Sequence, residues 1–473
     1  MQSTNNLLSP LLLDSFVERI VEALPDSRPD CSPSCEAIGQ RWQRLGLRPG
    51  DVVLLCLPNG KELLNHFFGV LIAQGVPALV PPNMPAVRLR EISKTLGARA
   101  IGAFRLPAGD FDYQRNEGIG RLQVAMFPPA PEPAAAPGEV VLLTSGTSGF
   151  ASGCVFDFDA LLLNARRHAD SIGQRTDDTV LVSLPLYFSF GLVGQALASL
   201  VRGNRLIVSG PPFSAALYEK TLREYGVTVS SLTPVLARSL IHSSASFLSA
   251  LRVLSVGGDA LEPDMVGRLA DLRQGGELYL TYGLTQAGPR VSTLAAHEED
   301  ASRYSSAGLP MEGTTVFLRP ACDVSGLKEL YVTSDTVMKR PIGYVEGRSH
   351  HGLAAPKTVA TGDAFEQDGD GYLYFKGRLS DFISRNGEKI SLAAVRRIAS
   401  RLPCVVSART TVVGCADGGE DFDLELSLSS VPDASLDPRE MLRGVLRRTD
   451  MPRSVRIQST NDSAAHAYAH KYK

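Results

Sequence analysis

Thr144-Ser145-Gly146-Thr147-Ser148-Gly149-Phe150-Ala151-Ser152-Gly153 follows directly on an apolar run, Val140–Leu143. Small hydroxyl residues and glycines placed after a buried strand let main-chain N–H groups close on a phosphate. Serine and threonine hydroxyls add further donors. The stretch is not a Walker loop, because no Gly-Lys-Ser/Thr follows at the required spacing. On composition alone it reads as an ordinary loop. Its position after a buried strand favours a phosphate cradle.

Outward from this stretch the chain alternates helical and strand-like segments. Ser15–Leu24 and Cys35–Leu45 carry apolar residues at helical spacing. Gly50-Asp51 opens an apolar strand, Val52–Leu57, closed by the turn residues Pro58-Asn59-Gly60. Glu62–Ala73 reads as a helix and Ala78–Val80 as a strand, and Pro128–Pro137 reads as a solvated connector. Alternation resumes at Val140 and continues to about Ser292, the pattern of a mostly parallel sheet. From Gly308 to Phe375 short alternating runs with frequent Gly and Pro predict antiparallel strands. They include a hairpin, Phe365–Tyr374, around Asp368-Gly369-Asp370-Gly371. A last stretch, Ile390–Ile457, is again mixed. The predicted fold class is α/β: a large multi-subdomain N-terminal part with mostly parallel sheets plus a β-rich subdomain, and a small α+β C-terminal domain.

Composition narrows the function classes. At 473 residues the chain is too long for one ordinary core and predicts two or more domains. The net charge of -2 supplies no field for nucleic acid or an anionic membrane. The apolar runs have strand length, not the roughly 20 residues of a spanning helix, and Met1–Asp14 lacks the pattern of a signal peptide. Seven scattered cysteines fit reduced thiols and a cytoplasmic location better than a disulfide framework. Cys31 and Cys35 have no matching pair for a zinc site, and the Asp370 segment lacks the spacing and terminal Glu of a calcium loop.

The phosphate-loop segment resembles the signature loop of acyl-adenylate-forming enzymes: acyl- and aryl-CoA synthetases, adenylation domains and luciferases. Further motifs of that superfamily recur in order along nearly the whole chain. Gly50-Asp51-Val52 and Pro58-Asn59 resemble its early strand and turn. Leu184-Pro185-Leu186-Tyr187-Phe188-Ser189-Phe190-Gly191-Leu192 resembles its acid-pocket segment, and Val256-Gly257-Gly258-Asp259-Ala260-Leu261 its loop beside adenine. Thr281-Tyr282-Gly283-Leu284-Thr285-Gln286 resembles the motif under the α-phosphate. Thr361-Gly362-Asp363 and Gly377-Arg378-Leu379-Ser380-Asp381 resemble the ribose-binding and hinge motifs.

The resemblance implies an ATP-dependent enzyme that activates a carboxylic acid as its acyl-adenylate. A thiol, of coenzyme A or of a carrier protein's phosphopantetheine arm, then takes the acyl group. It implies ATP and Mg2+ as cofactors, a large domain over residues 1–378 and a small mobile domain over 379–473 hinged at Ser380. Nucleotide binding falls to Thr144, Ser145, Gly146, Thr147, Ser148, Gly149, Gly258, Asp259, Ala260, Tyr282, Gly283, Asp363 and Arg378. Tyr282 is expected to stack on adenine or simply to pack in the core. Asp363 is expected to accept from the ribose hydroxyls, with Arg378 close by, or to cap a turn. Thr285 donates to the α-phosphate, serves as a helix N-cap, or both. The acid pocket is drawn from Phe188, Phe190, Val193, Gly194, Val256, Gly257 and Gly288, with Gly191 and Gly194 leaving space. No Asp stands between Leu184 and Gln195 to meet an α-ammonium, so an aryl or medium-length acyl acid fits better than an α-amino acid. The catalytic lysine is expected at Lys471, with Lys473 its close rival. It stabilises charge as pyrophosphate leaves.

Several residues depart from the superfamily pattern. Ala151-Ser152 stands where a Pro-Lys pair is usual, Gln286 where a glutamate ligates magnesium, Ser380 at the hinge and His470 before the lysine. A neutral amide is the weaker ligand for a hard cation, leaving Gln286 and Thr147 as weak metal ligands. Two alternatives stay open: an adenylating enzyme for an unusual acid, and a nucleotide-binding relative that has lost catalysis.

Overall fold

The structure, a computed structural model, describes residues 9–23, 33–106, 115–144, 152–210, 213–243, 245–321, 326–343, 352–385, 388–400, 402, 405–414, 420–428 and 438–459. Its first sheet forms where continuous apolar runs leave no polar face. Val52–Cys56 and Glu139–Leu143 are buried along their whole length. Such runs are stable only with both sheet faces covered. Eight strands pair in the order Arg340–Ile342, Gly153–Asp157, Glu139–Leu143, Val76–Leu79, Val52–Cys56, Ala98–Ala103, Leu122–Met126 and Arg115–Ile119. The centre is parallel and both edges are antiparallel. The core of this sheet gathers Leu54, Val76, Ile92, Ile101, Val141 and Val155.

A second eight-stranded sheet runs Val21–Glu22, Arg205–Val208, Thr179–Val182, Val229–Leu232, Val253–Gly257, Glu277–Gly283, Arg290–Ala295 and Leu309–Pro310. Its first six strands are parallel and the last two turn antiparallel. The parallel strands end together at Gly257 and Gly283, the edge at which open α/β sheets receive ligands. A third sheet pairs Thr314–Pro320, Lys328–Ser334, Thr358–Gln367 and Gly352–Ala355, with Leu373–Arg378 beside Thr358–Gln367. Beyond it come a hairpin, Phe382–Arg385 with Glu388–Ser391, and a three-stranded sheet of Val405–Gly414, Glu420–Leu428 and Ser454–Ser459. Helix Leu392–Ala399, N-capped by Ser391, packs on that small sheet through Leu392, Val395 and Ala399. The expected α/β class is thus realised.

The described residues fall into two compact units. One draws on Met1–Val316, Tyr331–Thr361 and Gly369–Leu373; the other on Phe317–Leu330, Gly362–Asp368 and Tyr374–Lys473. The division expected at 378/379 concerns a hinge, lies within the second unit and returns below as a proposal.

Most predicted elements appear within a residue or two: helices Cys35–Arg44 and Lys61–Ile72, and strands at Val52–Cys56 and Val76–Leu79. The first helix does not. It spans Pro10–Glu18 rather than Ser15–Leu24, because Pro10 presets the first helical φ while Val21–Glu22 is drawn into the sheet beside Arg205–Val208. No described helix is long and apolar enough to cross a membrane.

Candidate active site

The phosphate-loop segment connects two antiparallel strands, Glu139–Leu143 and Gly153–Asp157, paired through Leu143 and Gly153. Its two ends meet. Thr144 N–H donates to the Ser152 carbonyl (2.9 Å), and the Thr144 and Ser152 hydroxyls lie 2.7 Å apart. The Ser152 hydroxyl, standing where a cation is usual, is thus engaged with Thr144. Buried Glu139 anchors the incoming strand through Lys339 Nζ (2.8 Å), which also reaches Asp157 (2.9 Å). The expected phosphate ligands Ser145, Gly146, Thr147, Ser148 and Gly149 lie outside the described residues, as do Lys471 and its rival Lys473.

At the strand ends of the second sheet the remaining motifs of the first unit converge. Gly257 is paired with Thr281 across neighbouring parallel strands. A Cβ at Gly257 would stand 2.3 Å from Thr281 Oγ1, so only glycine allows this approach. Gly258, Asp259 and Ala260 follow as an exposed turn, with the Asp259 carboxylate accepting from the Ala260 N–H (2.8 Å). Val256 is buried. Tyr282 and Gly283 are half-buried at a bulge in the pairing with Arg290–Ala295. Thr285 opens a short 3-10 turn, Thr285–Ala287, and its hydroxyl lies 3.2 Å from that of Ser189. That contact seats the segment Leu184–Leu192 against Thr281–Gln286. The Gln286 carbonyl accepts from Met338 N–H (2.9 Å) while its side chain stays half-exposed. Gly288 has φ +108°, and a side chain there would meet the Thr336 carbonyl at 2.3 Å.

The pocket segment continues into a π-helical turn, Phe190–Leu197, every residue of which is buried. Helices of this kind are rare and recur at functional sites. Phe188 is half-buried with its ring 4.9 Å from that of Tyr187. Val193 is wholly buried as core. The space expected at Gly191 and Gly194 is filled: a Cβ would meet the Pro185 carbonyl at 2.4 Å in the first case and the Phe190 ring at 2.8 Å in the second. These glycines admit close packing and leave no room for a substrate.

Arg290, Asn164 and His168 were not visible as site residues in the sequence. The guanidinium lies over the Phe190 ring, 4.3 Å from its centroid, and Nη2 is 3.2 Å from the position a Gly257 Cβ would take. The backbone of Arg290 is fixed on both sides by the buried Asn164 amide, which donates to its carbonyl and accepts from its N–H at 3.0 Å each. Burial depresses the guanidinium to about 9. Neighbouring His168 packs edge-on against Phe190 and is pushed down to about 3 by burial, with the Arg290 charge adding to it. The available signal was an arginine opening an apolar strand, Arg290-Val291-Ser292, directly after Gly288-Pro289.

In the second unit, Asp363 is buried on Thr358–Gln367, with Arg378 Nε 3.2 Å from its carboxylate. The expected pair is therefore formed. Ser380 sits exposed in a 3-10 turn, Leu379–Asp381, and Asp381 pairs with Arg396 (2.8 Å). No cluster of three or more His, Cys, Asp or Glu suited to a metal occurs among the described residues.

The model of the AMP-binding enzyme family matches residues 32–340. A salicylyl-CoA synthase / salicylate adenylyltransferase of Streptomyces sp is 29% identical over 418 residues, covering 79% of this chain and 74% of the relative. A salicyl-AMP ligase / salicyl-S-ArCP synthetase of Mycobacterium tuberculosis is 26% identical, over 79% of this chain and 71% of its own. The fold matches o-succinylbenzoate CoA synthetase (MenE) of Bacillus subtilis, in complex with its acyl-adenylate intermediate. The TM-score is 0.76 at 19% identity, covering 97% and 96% of the two chains.

Proposed function

The chain belongs to the AMP-binding enzyme family, and from that premise we propose that it activates an aryl carboxylic acid with ATP and passes the acyl group to a thiol. The observation that supports this reading is the meeting of Ser189 and Thr285, which joins the segment expected to bind the acid to the one expected to meet the α-phosphate. An acid carboxylate oxygen forms a bond to the α-phosphorus of ATP, the bond to the pyrophosphate oxygen breaks, and an acyl-adenylate results. A thiol then takes the acyl carbon and AMP leaves. Coenzyme A is the acceptor named for the Streptomyces relative; a carrier-protein thiol is the alternative.

The residues present fit a nucleotide. Gly257 and Gly283 keep the strand ends free of side chains, and the exposed turn Gly258–Ala260 offers main-chain groups to adenine. Tyr282 supplies the stacking ring, Asp363 accepts from the ribose, Arg378 holds Asp363, and Thr285 donates to the α-phosphate. Magnesium, which neutralises charge on the departing phosphates, would be held chiefly by phosphate oxygens, with the Gln286 amide as the protein ligand. The phosphate-loop residues Ser145–Gly149 and the catalytic Lys471 complete the site. The part beginning at residue 379 turns about Ser380 between the two half-reactions.

The test is pyrophosphate exchange into ATP across a panel of aryl and acyl acids. An aryl acid is expected to drive exchange, Lys471→Ala to lose it by at least about a hundredfold, and Asp363→Asn to raise the KM for ATP by about tenfold or more. Absence of acid-dependent exchange in a folded, ATP-binding protein would overturn the reading.

A further inference from the structure

The Arg290 guanidinium stacks on Phe190, but its hydrogen-bonding capacity is largely unused within the protein. It is 3% exposed, yet its Nε and Nη2 have no hydrogen-bond partner, and no carboxylate pairs with it among the described residues. A cation this deep without a counter-charge is costly to hold. Arg273, equally buried, leaves its Nε unpartnered but gives both terminal nitrogens to the carbonyls of Leu248, Leu251, Arg252 and Glu277. Arg290 is instead rigidly placed by the Asn164 amide, which is itself held by the Thr336 hydroxyl (3.2 Å). The partnerless Nε and Nη2 form one edge of the guanidinium, the edge that takes two oxygens of a planar anion side by side. The guanidinium stacks over Phe190 and its Nη2 lies by the Gly257 strand end, two of the residues from which the acid pocket is expected to be drawn.

We propose that Arg290 selects the acid: the site takes aromatic carboxylic acids bearing a second anionic or hydrogen-bond-accepting oxygen, a further carboxylate or a phenolic oxygen, which Nε–H and Nη2–H of Arg290 hold. This rests on the acid-activating reading above. His168 is neutral beside the guanidinium and so adds no competing charge. Both of its ring nitrogens are without hydrogen-bond partners.

The test compares benzoate, salicylate and 2-succinylbenzoate in pyrophosphate exchange, using the full chain as wild type, Arg290→Lys and Arg290→Met. For the wild type, kcat/KM is expected to favour at least one oxygen-bearing acid over benzoate by about tenfold or more. That ratio is expected to collapse toward one in Arg290→Met, through KM for the acid, and to be partly retained in Arg290→Lys. A wild-type ratio near one, or a ratio unchanged in Arg290→Met while KM for ATP rises, overturns the proposal and leaves the acid-activating reading standing. If no acid supports exchange, that reading falls instead. Calorimetric titration of benzoate and 2-succinylbenzoate into wild type and Arg290→Lys then decides on Arg290: equal affinities overturn it, and a preference weakened in the variant supports it.

Discussion

A methyl group added at Gly257 would press on both Thr281 Oγ1 (2.3 Å) and the Thr281 carbonyl (2.8 Å). Neither can swing away, since the carbonyl is main chain and the hydroxyl is held against the Val256 carbonyl (3.3 Å). Gly257→Ala is therefore expected to cost about 1–3 kcal/mol of stability, read by chemical denaturation, and to lower exchange more than a surface substitution of equal stability cost. An unchanged midpoint and full activity would show that the two strand ends separate freely. Sequence reading reached Gly257 through its motif, but it could not reach Arg290. That residue becomes conspicuous only because Asn164, 126 positions away, pins its backbone in a place with no acceptor. The same limit explains Gly194, whose apparent room is taken by the ring of Phe190, one turn away in a helix too rare to be expected.

Among the elements, two helices carry histidines that have been drawn fully inside. His66 lies in Lys61–Ile72 and His168 in Phe158–Ser171; burial pushes each down to about 3. The folded-state value is below the unfolded one, so the unfolded chain binds the extra protons. Stability from this source is complete above pH 6.5 and declines as pH falls toward 3. Between about pH 6.5 and 5 the denaturation free energy is expected to fall by up to roughly 1.4 kcal/mol per pH unit for each histidine. The double variant His66→Gln/His168→Gln should flatten that slope; a wild type with pH-independent stability over this interval would refute it. Of these, Lys61–Ile72 was legible, since Glu62–Ala73 reads as a helix; Phe158–Ser171 was not singled out in the alternation that follows Val140. The first helix was misplaced because its period competes with a proline that fixes the start and a sheet edge that captures Val21–Glu22.

At the scale of the whole chain, the order of motifs was legible because most of them sit where buried apolar runs give way to glycines, although Thr361-Gly362-Asp363 lies within the strand Thr358–Gln367. The make-up of the second unit was not, because it gathers Phe317–Leu330 and Gly362–Asp368 from upstream strands along with the C-terminal residues, and only long-range pairing reveals that. A ligand that neutralises Arg290 binds the folded chain alone, so it must stabilise the whole cooperative unit that contains it. At about a hundred times its dissociation constant the gain is about 2.7 kcal/mol. The melting temperature of wild type is expected to rise with the preferred acid and that of Arg290→Met to rise less; equal rises would argue against neutralisation. A protein left with an unanswered interior charge opens more often, and every opening is an opportunity for a protease. The lifetime of this chain would thereby record how much of its own acid surrounds it, with Arg290 serving as the gauge.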